Sequence, residues 1–297
     1  MSTTATADPA AEVVERAEAA WRTRSAGDYA TARRQYDDAL ALAEAELPPD
    51  DPALVLVLNG IGVLGKYAGR FEEAADAYRR AVRIEAGREA PDGDLLATLL
   101  HNVGGLDHAR GRFAEAAAAA RQGLAYRLAI RDAADPLVAV DEAALAAILV
   151  DLERPAEARE LAERACETYR TATAAGLDWA PPEHREHDRI AALAILATAQ
   201  HRLRDRSGAA ATYREVLDAK EALLGPRHPE LVPTLNNLGV LLAELGELDE
   251  AADAYTRALE LLEVAGLGEH LQAFGISENL KVLDRRRARR DRDTTTA

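Results

Sequence analysis

Six copies of one pattern run through the chain at a near-constant step. Aligned on a small residue in the second half of each copy, they fall at Ala32, Ala74, Ala116, Ala158, Ala209 and Ala251. Four of the five steps are 42 residues and the other is 51. The clearest copy, Thr234 to Glu263, reads TLNNLGVLLAELGELDEAADAYTRALELLE. It divides into a helix, a tight glycine turn and a second helix. A unit of this length cannot bury its own apolar face, so neighbouring units must stack to build a continuous core. The period therefore predicts an all-α array of helix pairs that offers a long surface.

In the clearest copy Leu235, Leu238 and Leu242 share one helical face. Gly239 leaves room for the paired helix, and Gly246 supplies the left-handed cap that closes the first helix. Asp249 and Glu250 fall in the first turn of the second helix, where the dipole favours acids. Ala251, Tyr255 and Ala258 form its inward stripe. The other copies carry Tyr29, Tyr36 and Ala39; Gly62, Gly69, Phe71 and Tyr78; Gly104, Gly111 and Phe113; and Ala197 and Tyr213. The fourth copy is degenerate, keeping Ala146, Pro155 and Ala165 without either glycine. Asp51-Pro52, Asp135-Pro136 and His228-Pro229 read as start signals, a cap followed by a first-turn proline. After the sixth copy, Asn279, Leu280 and Leu283 continue the first-helix register, which predicts a capping helix over 277–290. The long step predicts a loop within TATAAGLDWAPPEH, Thr171 to His184, with Trp179 at its tip. Residues 1–10 and 291–297 read as disordered ends flanking a single array over 11–290.

Composition narrows the function. The net charge is −15, although the stretch 285–297 holds six Arg. An acidic body argues against general nucleic-acid binding. Cys166 is the only cysteine, so no disulfide framework exists, and a buried packing role is expected of it. No run of 18 apolar residues and no apolar leader segment occur, so a soluble, cytoplasmic protein that does not engage membranes is expected. No GxSxG, P-loop, GxGxxG or HExxH motif is present, and no cofactor, metal or catalytic role is expected.

The glycine, tyrosine and alanine spacing resembles the tetratricopeptide repeat. The 42-residue step, with LLGPRHPELVPTLNNLG leading into GELDEAADAYTRALELL, is similar to the kinesin-light-chain type of bacterial arrays. The resemblance implies a right-handed α-α superhelical solenoid of six helix pairs plus a C-terminal cap, with first helices lining a concave groove. Carried over residue by residue, the implied partner-contact positions are Trp21 and Arg24; Asn59, Lys66 and Tyr67; His101, Asn102 and His108; Ala143, Ala144, Ala147 and Val150; Ile195, Thr198, His201 and Arg202; Asn236, Asn237 and Val240; and Asn279. Paired asparagines of this kind are implied to clamp peptide backbone, since an amide both donates and accepts. Asn102, Asn237 and Asn279 share that register, whereas Asn59 stands one place early, beside Gly60. Ala144 and Ile195 make the central floor apolar.

Each feature has a plainer alternative. The asparagines can bond between repeats. His101 and His108 lie two turns apart, too far for one ion without further ligands. His184 and His187 are closer, but surface capping explains them. Trp179 can be an interface anchor or a plug in the wedge beside the long step. The arginines Arg285–Arg292 can bind an anionic surface, dock on the acidic body or stay solvated. The expected function is a non-catalytic adaptor that binds a peptide segment of a partner. The alternatives are a sensor for a signal peptide or small ligand, and a scaffold that self-associates as a homo-oligomer.

Overall fold

The computed structural model describes residues 8–268 and 270–295; the side chains of 183, 289 and 291–295 are not described. The described residues form helices without a strand: α1 (Pro9–Ser25), α2 (Tyr29–Glu46), α3 (Pro52–Tyr67), α4 (Phe71–Ala86), α5 (Gly93–Ala109), α6 (Phe113–Ile130), α7 (Pro136–Asp151), α8 (Pro155–Ala174), α9 (Pro182–Arg202), α10 (Arg206–Leu224), α11 (Val232–Leu245), α12 (Leu248–Val264) and α13 (Leu271–Thr295), with a short 3-10 turn (Pro229–Leu231) before α11. They divide into two compact units, Met1–Ile148 and Leu149–Ala297.

The alignment residues Ala32, Ala74, Ala116, Ala158, Ala209 and Ala251 are all fully buried. The in-helix glycines are small for a local reason. A Cβ at Gly62 would lie 2.3 Å from the Tyr78 ring, and one at Gly239 would lie 2.7 Å from the Tyr255 ring. Helix α3 is thus pressed onto α4, and α11 onto α12.

The turns inside the repeats follow one register. Gly27, Gly69, Gly111 and Gly246 are left-handed, with φ of 87°, 71°, 71° and 86°. The repeats that lack this glycine keep the conformation: Glu153 has φ 57° and Arg204 has φ 64°. The stacking contacts of both helices impose the turn even where a side chain opposes it.

Three boundaries differ from the sequence expectation. Helix α1 starts at Pro9 because Asp8 caps it, its side chain accepting from Ala10 N at 3.1 Å. Asp8-Pro9 is the same start signal as Asp51-Pro52, so residues 9 and 10 belong to the fold. The last helix spans Leu271–Thr295 rather than 277–290. Ala273 and Ile276 bury beside α12 and draw the start earlier. At the other end helix propagation continues through 291–295, which had been expected to be disordered; residues 1–7, 296 and 297 lie outside the described residues. The long step is largely absorbed by longer helices, α8 with 20 residues and α9 with 21. Only 175–181 separate them. There Trp179 stacks on Tyr169 of α8, ring centroids 5.8 Å apart, and the Arg185 guanidinium lies 5.6 Å from the Trp179 ring centroid. Among the described residues no helix is long and apolar enough to cross a membrane.

Candidate functional site

In the unit Met1–Ile148, the first helices α1, α3 and α5 carry eight of the expected contact residues. Aligned positions on successive first helices form columns. One column is basic: Arg24, Lys66 and His108, spaced 42 apart. A second holds Trp21, Val63 and Gly105.

The asparagines form an interlocking pair of columns. Asn102 donates from Nδ2 to Asn59 Oδ1 at 2.9 Å, and Asn279 donates to Asn236 Oδ1 at 3.4 Å. Both links span 43 residues, so an amide in one repeat reaches the position one place earlier in the preceding repeat. Asn59 is therefore the partner that Asn102 requires, and its offset is not a departure from the pattern. Asn237 faces Ala194 at the equivalent place and turns instead to Tyr213 OH, 3.1 Å away. His101 meets a different partner: its Nδ1 lies 2.9 Å from Oδ1 of Asp141, which is buried and held through Oδ2 by Arg127 at 2.9 Å. This ties α5, α6 and α7 together.

Arg24 and Lys66 of the basic column are placed differently from most arginines of the protein. Most arginines sit against carboxylates, as Arg80 does on Glu44 and Arg206 on Glu244. Lys66 is half-buried and has no ion pair among the described residues. Burial alone pulls its pKa below the ordinary lysine value. Arg24 Nε is buried without an acceptor among the described residues. Both cations approach one ring: Arg24 Cζ and Lys66 Nζ each lie 5.9 Å from the Tyr67 ring centroid. Tyr67 is 62% exposed and Trp21 is 53% exposed. Between α1 and α3 lies a pocket of about 470 Å³, lined by Ala17, Trp21, Arg24, Leu56, Asn59 and Val63 among others, with Glu18 at its edge paired to Arg22 at 3.7 Å. The site thus pairs an apolar recess with two cations that lack carboxylates. His108, third in the column, tilts against Phe113 with centroids 5.6 Å apart.

The remaining expected residues lie on α7 and in the other unit. Ala143, Ala144 and Ala147 lie on α7 in the same unit, the first buried and the other two half-buried. Val150 is buried and belongs to the unit Leu149–Ala297, as do Ile195, Thr198, His201, Arg202, Asn236, Asn237, Val240 and Asn279. In that unit His201 and Arg206 hold Glu244 at 3.5 and 2.6 Å, and Thr198 bonds Tyr213 OH at 2.9 Å. Cys166 packs beside Ile190, Leu193 and Val216, and burial pushes its thiol up to about 12. Among the described residues no group of three or more His, Cys, Asp or Glu is arranged to hold a metal ion.

Sequence reasoning named Lys66 and Arg24 but not their isolation. Gly105, one repeat on from Val63, signals the space that Lys66 Nζ fills, though not the absence of carboxylates around it. A Cβ there would come within 2.8 Å of that nitrogen.

Comparison with known proteins identifies the repeat. Models described as tetratricopeptide repeat match residues 18–86, 186–263 and 143–173, together more than half of the chain. No curated protein sequence matches it. Among solved structures it is similar to BtubC (BKLC) from P. vanneervenii, at 21% identity and a TM-score of 0.65, covering 80% of this chain and 91% of that one. It is also similar to the TPR-like repeats of a Podosopora anserina kinesin light chain, at 18% identity and a TM-score of 0.58, covering 74% and 99%. A Rap protein complexed with competence and sporulation factor shares 14% identity, with a TM-score of 0.61 and coverage of 97% and 74%. These likenesses are of fold. The chain belongs to the tetratricopeptide repeat family, with repeats like those of kinesin light chains.

Proposed function

We propose that the protein is a non-catalytic interaction module and that the first-helix face of the unit Met1–Ile148 binds a segment of a partner protein. The segment places an apolar side chain in the recess beside Trp21 and a carboxylate on Arg24 and Lys66. The observation that carries this reading is the unpaired, half-buried Lys66. A desolvated ammonium without a counter-ion weakens a free protein and becomes favourable once an anion arrives. The Asn59–Asn102 pair spends one donor and one acceptor on itself and leaves amide groups for backbone. The fold supports a protein-interaction role, and the similar Rap structure is a complex with competence and sporulation factor. The central Ala144 and Ile195 fall in different units, so the proposal rests on Met1–Ile148 alone.

The test is a synthetic peptide array, varied at acidic and apolar positions and probed with full-length protein. Acidic peptides with one large apolar residue should be retained, and the double variant Arg24→Gln/Lys66→Gln should lose them. Retention without acidic preference, or unchanged in the double variant, contradicts the proposal.

A further inference from the structure

The inference concerns α13, in the other unit, and is independent of the peptide site. Helix α13 keeps the register of a seventh first helix. Asn279 reaches Asn236 over the same 43 residues that separate Asn102 from Asn59. Ala273, Ile276 and Leu283 stand in the columns of Leu231, Thr234 and Leu241, and all six are buried. The face that packs toward the preceding repeat is therefore intact.

The adjacent face, which in the third repeat packs on the second helix of the same repeat, is bare. Phe274 stands in the column of Val13, Val55, Ala97, Ala139, Ile190 and Val232. Those six are at most 5% exposed, whereas Phe274 is 65% exposed. In the third repeat the contact is visible directly: a Cβ at Gly123 of α6 would lie 3.1 Å from Ala97 O. Leu271, at the start of α13, is 85% exposed. A helix that only closed the array would carry a polar residue at 274.

We propose that this face of α13 docks an acidic amphipathic helix from a partner protein, seated antiparallel where a seventh second helix would lie. Charge selects that occupant. The second helix of a repeat begins beside the end of the first, and α4 and α12 place Glu72, Glu73, Asp249 and Glu250 in that first turn. An incoming helix of the same polarity puts its first turn beside the arginine-rich end of α13. There Arg285 and Arg286 are exposed and without an ion pair among the described residues. Arg287 and Arg290 are already held by Asp249 of α12, Arg287 at 2.7 Å and Arg290 at 3.2 Å. One position adds a restriction. Lys281 occupies the column of Gly62, Gly104 and Gly239, where the repeats leave space for a second-helix tyrosine or alanine. Its stem excludes a ring, and its ammonium, held by Glu278 of the same helix at 2.8 Å, has further donors for a partner carboxylate at that point.

The probe is a fluorescent synthetic peptide with the sequence Leu248–Val264, which holds five carboxylates and one arginine, carrying Tyr255→Glu to meet Lys281. Anisotropy with the full-length protein should show saturable binding. Affinity should fall at least tenfold for Phe274→Ser and for Lys281→Glu/Arg285→Glu, and the unsubstituted peptide should bind more weakly than the Glu version. The substituted side chains are exposed, and circular dichroism checks that the variants fold. Absence of saturable binding, or equal affinity for Phe274→Ser, overturns the proposal. A dimer by light scattering that dissociates in Phe274→Ser also overturns it, because a second copy would then be the occupant.

Discussion

The Lys66 ammonium lies over Gly105, in space that a side chain at Gly105 would need, with a would-be Cβ only 2.8 Å from Nζ. The placement removes water from a cation and supplies no carboxylate in exchange. Lys66→Met should therefore stabilise the protein by about 1 kcal/mol while weakening retention of acidic peptides. Urea denaturation and the peptide array measure the two effects on one variant. Loss of stability with unchanged binding would mark Lys66 as a packing residue.

The left-handed turns make a second prediction. Glu153 and Arg204 occupy, at φ 57° and 64°, the register that four repeats give to glycine. A side chain in that region costs about 1 kcal/mol relative to glycine. Glu153→Gly and Arg204→Gly should each stabilise by that order, read as a shift of the denaturation midpoint. Gly69→Ala should move it the other way.

The in-helix glycines predict a loss. Gly62→Ala would drive a methyl into the ring of Tyr78, which is 1% exposed. The expected cost is about 1–3 kcal/mol. The double variant Gly62→Ala/Tyr78→Ala should cost less than the sum of its single changes, since the clash is absent. A double-mutant cycle measures this directly.

Acid sensitivity has a named source. Hydrogen bonds from Arg131, then from Arg127, lower the Asp94 carboxyl from 3.8 to about 2. Its folded pKa is below its unfolded one, so the native state binds fewer protons in between. The stability it contributes is present above pH 3.8 and is lost as pH falls toward about 2. Asp94→Asn should be less stable at neutral pH and show a shallower decline across that window, measured by urea midpoints at several pH values.

The helix pairs, their turns and the buried alanine columns were legible because periodicity and glycine placement act locally. What stayed hidden depended on neighbours across repeats. Asn59 stands one place early in the sequence, and only its link to Asn102 across repeats gives that offset a reason. The fourth turn looked broken, yet packing holds Glu153 in the glycine conformation. Among the candidate residues, Lys66 and Arg24 were named from the family pattern. Their lack of carboxylates is a property of what surrounds them in space, and no spacing rule encodes it.

Backbone amide hydrogen exchange, measured on the full-length protein with and without the best acidic peptide from the array, tests the central claim most directly. The account predicts slowed exchange concentrated in α1, α3 and α5, and little change in α2, α4 and α6. Protection centred on those second helices, or absent from the helices that carry Arg24, Lys66 and Asn102, would contradict it.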